Sequence, residues 1–236
     1  MDNQQPSNLT GIQTLARNAK FGDGYYWKHP ECVNYKIIFT STDKGLLKKK
    51  MGLCPSLFPS GVSLYRKGGA VTNYCTNSKP LYKLTSLVHP IFTIYYGMPK
   101  ETVLPEMTLF DFALWYLDDG SYIARPPRGH RFMIHIGDAA TGNNRKAAFL
   151  SKVRELFGHI KTRGNSIGFI IKNNSKATEN NLTWKMPVPY GLRIIQELKH
   201  FYVIPNKFPK VEGSETIPYG STTVGRSSRK RRQLHM

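Results

Sequence analysis

Residues 131–136 (RFMIHI) alternate strictly, with Phe132, Ile134 and Ile136 on one side and Arg131, Met133 and His135 on the other. That is the pattern of a strand covered on one face, here with a basic exposed face. The period then changes. RKAAFLSKVRELFG places Phe149, Val153, Leu156 and Phe157 at helical spacing, NSIGFIIK returns to a strand, and YGLRIIQELKHFY closes with a helix. Ahead of them MTLFDFALWYLDDGSYI predicts a helix: Thr108 and Asp111 have capping-box spacing before an apolar run, and Gly120 stands where the helix would stop. The first part of the chain repeats this order with other letters. LTGIQTLARNAKFGDGYYW predicts a short helix, with Thr10 and Gln13 at the same spacing, ending in Gly22-Asp23-Gly24; Asp118-Asp119-Gly120 follows 96 residues later. After it come β-like Tyr35–Thr40 (YKIIFT), a short charged helix in DKGLLKKKMGL, β-like GVSLYRK with AVTNYCT, and a closing helix in PLYKLTSLVHP. Each half therefore reads αββαββα, an α+β class built from two pseudo-symmetric units.

GMPKETVLPEM (97–107), with two prolines between periodic stretches, is the natural joint, and at about ten residues it spans at most roughly 35 Å and holds the halves close. The expected units are residues 1–105, residues 106–213 and a polar tail at 214–236. The length of 236 residues, 40% of them hydrophobic, suffices for a core without disulfides.

Charge changes the picture more than size does. The chain has 34 Lys and Arg against 15 Asp and Glu, a net charge of +19. Arg226, Arg229, Lys230, Arg231 and Arg232 carry five of these charges, so the body before them is basic in its own right. Such a surplus repels itself unless a polyanion neutralises it, and nucleic acid is the expected partner. Cys32, Cys54 and Cys75 contain no C-x-x-C pair, and His29 with Cys32 has no second pair to complete a zinc site. A reducing, intracellular and soluble setting is expected, since the N-terminus lacks signal-peptide order and no apolar run reaches bilayer length.

Each half ends a buried-type helix with a carboxylate beside a glycine that permits close backbone approach. Two such helices crossing along their lengths would deliver Asp23 and Asp119 together. Aligned on these acids, Ala16, Ala19 and Gly22 correspond to Phe112, Trp115 and Asp118, small residues against mostly large ones. Paired carboxylates near a core repel unless a divalent cation shares them. Mg²⁺, which accepts one or two carboxylates, carbonyls and a substrate phosphate, is the expected ion, and phosphodiester hydrolysis the expected chemistry.

These residues carry a resemblance. ARNAKFGDG (16–24) and FALWYLDDG (112–120) resemble the two motifs of a single-chain LAGLIDADG homing endonuclease. The second match is closer, because Lys20 and Phe21 depart from the usual apolar or acidic residues. WYLDDGS and FYVIPNKFPK are similar to stretches of an intron-encoded member that recognises a long asymmetric site. The resemblance covers roughly residues 9–211. It implies a saddle of two four-stranded antiparallel sheets, a monomer, and a double-strand break in DNA that leaves short 3′ overhangs. It also implies two or three Mg²⁺ ions, with Mn²⁺ as a substitute, in an organelle or a phage or prokaryotic genome compartment. Carried over, Asp23 and Asp119 are metal ligands assisted by the carbonyls of Gly22 and Asp118. Lys100 and Lys207, or Lys210 in place of Lys207, are the basic residues at the scissile phosphate.

Candidate DNA contacts are the polar, basic and aromatic residues of the expected strands and turns: Trp27, Lys28, Lys36, Tyr65, Arg66, Lys67, Asn73, Tyr122, Arg125, Arg128, Arg131, His135, Arg163, Asn165 and Lys172. An RNA maturase acting on intron RNA, and a non-catalytic DNA-binding regulator, are alternatives on the same scaffold; retention of both acids favours the nuclease.

Overall fold

The structure, a computed structural model, describes residues 8–68, 79–125, 129–160, 162, 167–172, 181–202 and 207, without the side chains of 8, 125 and 172. The first half contains α1 (Asn8–Phe21), β1 (Gly24–Trp27), β2 (Lys36–Ser41), α2 (Lys44–Gly52), β3 (Val62–Arg66), β4 (Leu81–Thr85) and α3 (Pro90–Gly97). A short helix α4 (Lys100–Val103) and a 3₁₀ turn (Leu104–Glu106) lead to the second half. That half contains α5 (Leu109–Asp119), β5 (Gly120–Arg125), β6 (Gly129–Gly137), α6 (Gly142–Phe157), β7 (Phe169–Lys172), β8 (Leu182–Met186) and α7 (Val188–Leu198). The two αββαββα series are present, and each yields a four-stranded antiparallel sheet in the same order, β1-β2-β4-β3 and β5-β6-β8-β7.

Local chemistry accounts for the elements. The Thr108 hydroxyl accepts from the Asp111 N–H while the Asp111 carboxylate accepts from the Thr108 N–H, a complete capping box. Phe132, Ile134 and Ile136 are buried on the covered face of β6. There they meet Trp184 and Met186 of β8, and α7 comes so close that a Cβ on Gly191 would lie 2.1 Å from the Phe132 ring. Phe149 and Phe157 of α6 pack with Phe112, Trp184 and Tyr190 in an aromatic cluster. In the first half Leu15, Ile37, Phe39, Leu47, Leu84 and Phe92 form the corresponding core, and both join one continuous cluster through α1 and α5.

Several expectations are corrected. PLYKLTSLVHP is not a helix: Leu81–Thr85 pairs with β2, and the helix starts at Pro90. The reason is legible, because proline suits the first helical turn and drives the preceding residue to extended backbone; His89 takes φ −151° and caps α3 with its ring nitrogen. Thr10 lies inside α1, which begins at Asn8, so its spacing to Gln13 marks no cap. Tyr25-Tyr26-Trp27 forms an edge strand and Leu182–Met186 a central one, neither of which the apolar pattern singled out. The joint at 97–107 is structured, with Val103, Leu104 and Met107 buried. AVTNYCT (70–76) and the tail at 214–236 lie outside the described residues. Among the described residues, no helix is long and apolar enough to cross a membrane.

Candidate catalytic and nucleic-acid-binding site

Helices α1 and α5 pack side by side in the same direction. Arg17 Nε donates to Asp111 Oδ2 at 2.9 Å, the Phe21 and Trp115 rings lie 5.1 Å apart, and Asn18 Nδ2 donates to Asp118 Oδ2 at 2.9 Å. Residue numbers rise together along both helices, so the helices end at the same level. Complementarity of size decides how closely. A Cβ on Gly22 would fall 2.2 Å from Asp118 Oδ2, so the Asp118 carboxylate occupies the space that Gly22 leaves. The small-against-large expectation is met at this pair.

Asp23 and Asp119 thereby arrive in one electrostatic neighbourhood. Desolvation, then the charges of Asp23 and Asp118, push the Asp119 carboxyl up to about 7. Desolvation and Asp118 also push Asp23 up, opposed by Lys50 and Lys207, although the Asp23 side chain reaches solvent at the rim. Two carboxyls that resist ionising in the same place suit a divalent cation, whose charge would offset both penalties. Among the described residues no three His, Cys, Asp or Glu side chains gather to hold a metal without other ligands. Two carboxylates with backbone carbonyls are a set that would suit an ion such as Mg²⁺, which completes its shell with water and phosphate.

The side chain of Asp118 is committed elsewhere. Lys50 Nζ lies 2.6 Å from its Oδ1 and 2.9 Å from its Oδ2, and both side chains are 1% exposed. Its Oδ2 also accepts from Asn18 Nδ2 and from the backbone N–H of Asp23. Only the Asp118 carbonyl remains for the metal role that the resemblance implies, and it accepts from Lys207 Nζ at 2.5 Å, as does the carbonyl of Leu117. Lys207 thus sits on the orphan carbonyls at the end of α5, where a cation is favoured. Burial lowers its pKa, while Asp118, Asp23 and Asp119 act against that fall.

Lys100 is not brought to this cluster. Its ammonium is ion-paired with Asp138, which also accepts from Arg145 Nη1 at 2.7 Å, and Arg145 Nε donates to Glu101 at 3.0 Å. Lys100, Asp138 and Arg145 line an open cleft of about 520 Å³ with Lys20, Tyr25, Tyr96 and Pro99. Asp138, partly buried, is nonetheless held below its usual range by Lys100 and Arg145. Lys100, at the start of α4, meets Asp138 rather than the carbonyls that end α1, while Lys20 Nζ donates to the carbonyls of Tyr95 and Tyr96 at the end of α3.

Pair registers sort the candidate DNA contacts. On the first sheet Tyr25, Trp27, Lys36 and Lys83 share the face turned away from the helices, with Lys36 Nζ 4.1 Å from the Trp27 ring centroid and Lys83 Nζ 5.2 Å from that of Tyr65. Tyr65, Arg66 and Lys67 are exposed, as is Lys28, whose Nζ stands over Tyr35. On the second sheet Arg131, His135 and Lys185 take the corresponding face, beside the exposed Phe169. Tyr122 is a correction: it pairs with Phe132 and packs on the helix-covered face, its hydroxyl bonded to His130 Nδ1. Strand alternation forbids it from sharing the face of Arg131. Asn73, Arg128, Arg163 and Asn165 lie outside the described residues, as do Lys210 and the side chains of Arg125 and Lys172.

Sequence reading missed Lys50, Asn18, Lys83 and Lys185. Lys50 was findable, since it falls on the same helical face as Leu46 and Leu47, where a lysine has no solvent and needs an anion. The alternation in LYKLT and LTWKM carries the other two lysines. Asn18 leaves no such trace.

No family model matches the sequence, and no curated protein sequence does. Among solved structures the chain is similar to "The homing endonuclease I-WcaI bound to its DNA recognition sequence", with a TM-score of 0.61 and 18% identity over 86% of this chain and 87% of that one. The likeness is one of fold.

Proposed function

We propose that this protein is a site-specific DNA endonuclease of the homing type, making a double-strand break at a long asymmetric target by Mg²⁺-dependent phosphodiester hydrolysis. The observation that carries the reading is that the two motif ends, 96 residues apart in the chain, lie side by side, with Asp118 Oδ2 in the space left by Gly22 and accepting from the Asp23 N–H. The outward basic and aromatic faces of two like sheets, and the fold shared with a homing endonuclease bound to DNA, support duplex DNA as the partner.

Bound Mg²⁺ would polarise a phosphoryl oxygen and acidify the attacking water. The protein's share is positional. Asp23 and Asp119 would hold the ion, and the Lys207 ammonium, fixed on the Leu117 and Asp118 carbonyls, would offset negative charge gathering at the phosphate. Lys36, Lys83 and Arg131 meet phosphates or base edges, and Trp27 and Tyr65 supply apolar contact. One chain presents both sheets, so a monomer reads an asymmetric site.

The test is selection of cleavable sites from a randomised duplex library with Mg²⁺, followed by cutting of a plasmid that carries the selected site. A unique linear product is expected. Failure of the wild-type protein to cut any duplex, together with tight binding of structured intron RNA, would overturn the reading in favour of a maturase.

A further inference from the structure

Lys50 belongs to α2 of the first half, yet its ammonium is spent wholly on Asp118 of the second, and neither side chain touches solvent. The carboxylate so held reaches back to the first half through two further bonds, accepting from Asn18 Nδ2 at 2.9 Å and from the Asp23 N–H at 3.2 Å. One oxygen of the residue preceding Asp119 therefore grips the backbone of Asp23. No pseudo-symmetric copy of this device exists, because the counterpart of Asp118 is Gly22, whose missing side chain makes the room for it. The Lys50 ammonium also faces the Phe39 ring, 4.4 Å from its centroid.

We propose that Lys50 is a positioning residue: through Asp118 it locks the two motif ends in register, so that Asp23 and Asp119 stand at the separation a shared cation and the two scissile phosphates require. The proposal rests on the endonuclease reading and adds to it a residue that acts without touching the DNA or the ion. A buried pair could serve stability alone, since its replacement by apolar residues often leaves a fold intact. A positioning pair differs in that its loss strikes the rate while fold and binding persist.

The experiment uses the full chain and its selected target duplex, with the double variant Lys50→Met/Asp118→Leu and the single variant Lys50→Arg. Three quantities are measured: melting temperature, duplex Kd in Ca²⁺, and the single-turnover cleavage rate in Mg²⁺ at saturating protein. For the double variant the expected result is a Kd within threefold of wild type and a cleavage rate at least thirtyfold lower. Lys50→Arg retains the charge but pushes the Asp118 carboxylate aside, and the rate is expected to fall about tenfold with the melting temperature kept. Should the double variant not fold, Lys50→Arg decides alone. Wild-type cleavage rates in either folded variant overturn the positioning role and leave the endonuclease reading standing; a wild-type protein that cuts nothing removes both.

Discussion

Lys100 and Lys207 each follow the closing helix of their half, at different spacings, and end in different company. Lys207 closes on the carbonyls that end α5 and feels all three carboxylates of the motif ends, whereas Lys100 is absorbed by Asp138 and the Arg145–Glu101 pair at the junction of β6 and α6. A pseudo-twofold fold does not require a pseudo-twofold site. The first motif ends in Gly22-Asp23 and the second in Asp118-Asp119, and the extra carboxylate of the second half is met by a buried lysine, an asparagine and a backbone N–H of the first.

The largest effect expected from this comparison concerns what the two ends share. Asp23→Asn and Asp119→Asn should each abolish double-strand cleavage, with duplex affinity in Ca²⁺ within threefold of wild type. Cutting by either variant at more than about one hundredth of the wild-type rate would break the equivalence of the two acids. Next comes the contrast itself. Lys207→Met should slow single-turnover cleavage by about a hundredfold, the usual consequence of losing one fixed positive donor at developing charge. Lys100→Met should change the rate less than threefold and cost at most about 1 kcal/mol of stability, since its partner keeps Arg145 and the site is partly open. Equal effects in the two variants would restore symmetry.

The acids also predict a pH dependence with a definite sign. The folded protein holds a proton on Asp119 up to about pH 7, whereas the unfolded chain releases it near 3.8. The metal-free fold therefore loses stability as pH rises between those values, and the whole loss is present above about pH 7. Asp119→Asn should accordingly raise the melting temperature at pH 8, by about 4 °C for roughly 1–2 kcal/mol after allowance for solvent screening, and leave it unchanged near pH 3.5. A uniform shift at both pH values would mean that the carboxylate is not strained by its neighbours. The smallest effect concerns the two faces of the sheets. Trp27→Ala should weaken duplex binding about tenfold, in the range of one lost aromatic contact, and Tyr122→Phe should leave binding unaltered.

Much of this was legible in the chain. RFMIHI announced a half-covered strand, Thr108 and Asp111 a helix start, and two Asp-Gly ends the acids that come together. What escaped did so for physical reasons. The first half closes with a helix later than its pattern suggests because Leu81–Thr85 sets Lys83 and Thr85 outward between inward residues, which blurs the apolar alternation, and the helix begins only at Pro90. Tyr122 and Arg131 look alike as candidate contacts until the pairing register separates their faces. The fate of each lysine depended on which anion or carbonyl the tertiary fold brought near, and nothing local to Lys100 or Lys207 encodes that. Lys50 is the exception, announced by its place between buried leucines and the core.

The central claim is that Asp23 and Asp119 share cations at the midline between two unequal half-sites. The most direct measurement is an anomalous difference map from crystals of the protein with its target duplex and Mn²⁺. Peaks are expected within about 2.0–2.3 Å of carboxylate oxygens of both residues, and of scissile phosphate oxygens. Peaks that touch neither acid, or that lie at Asp138 in the cleft beside Lys100, would contradict it.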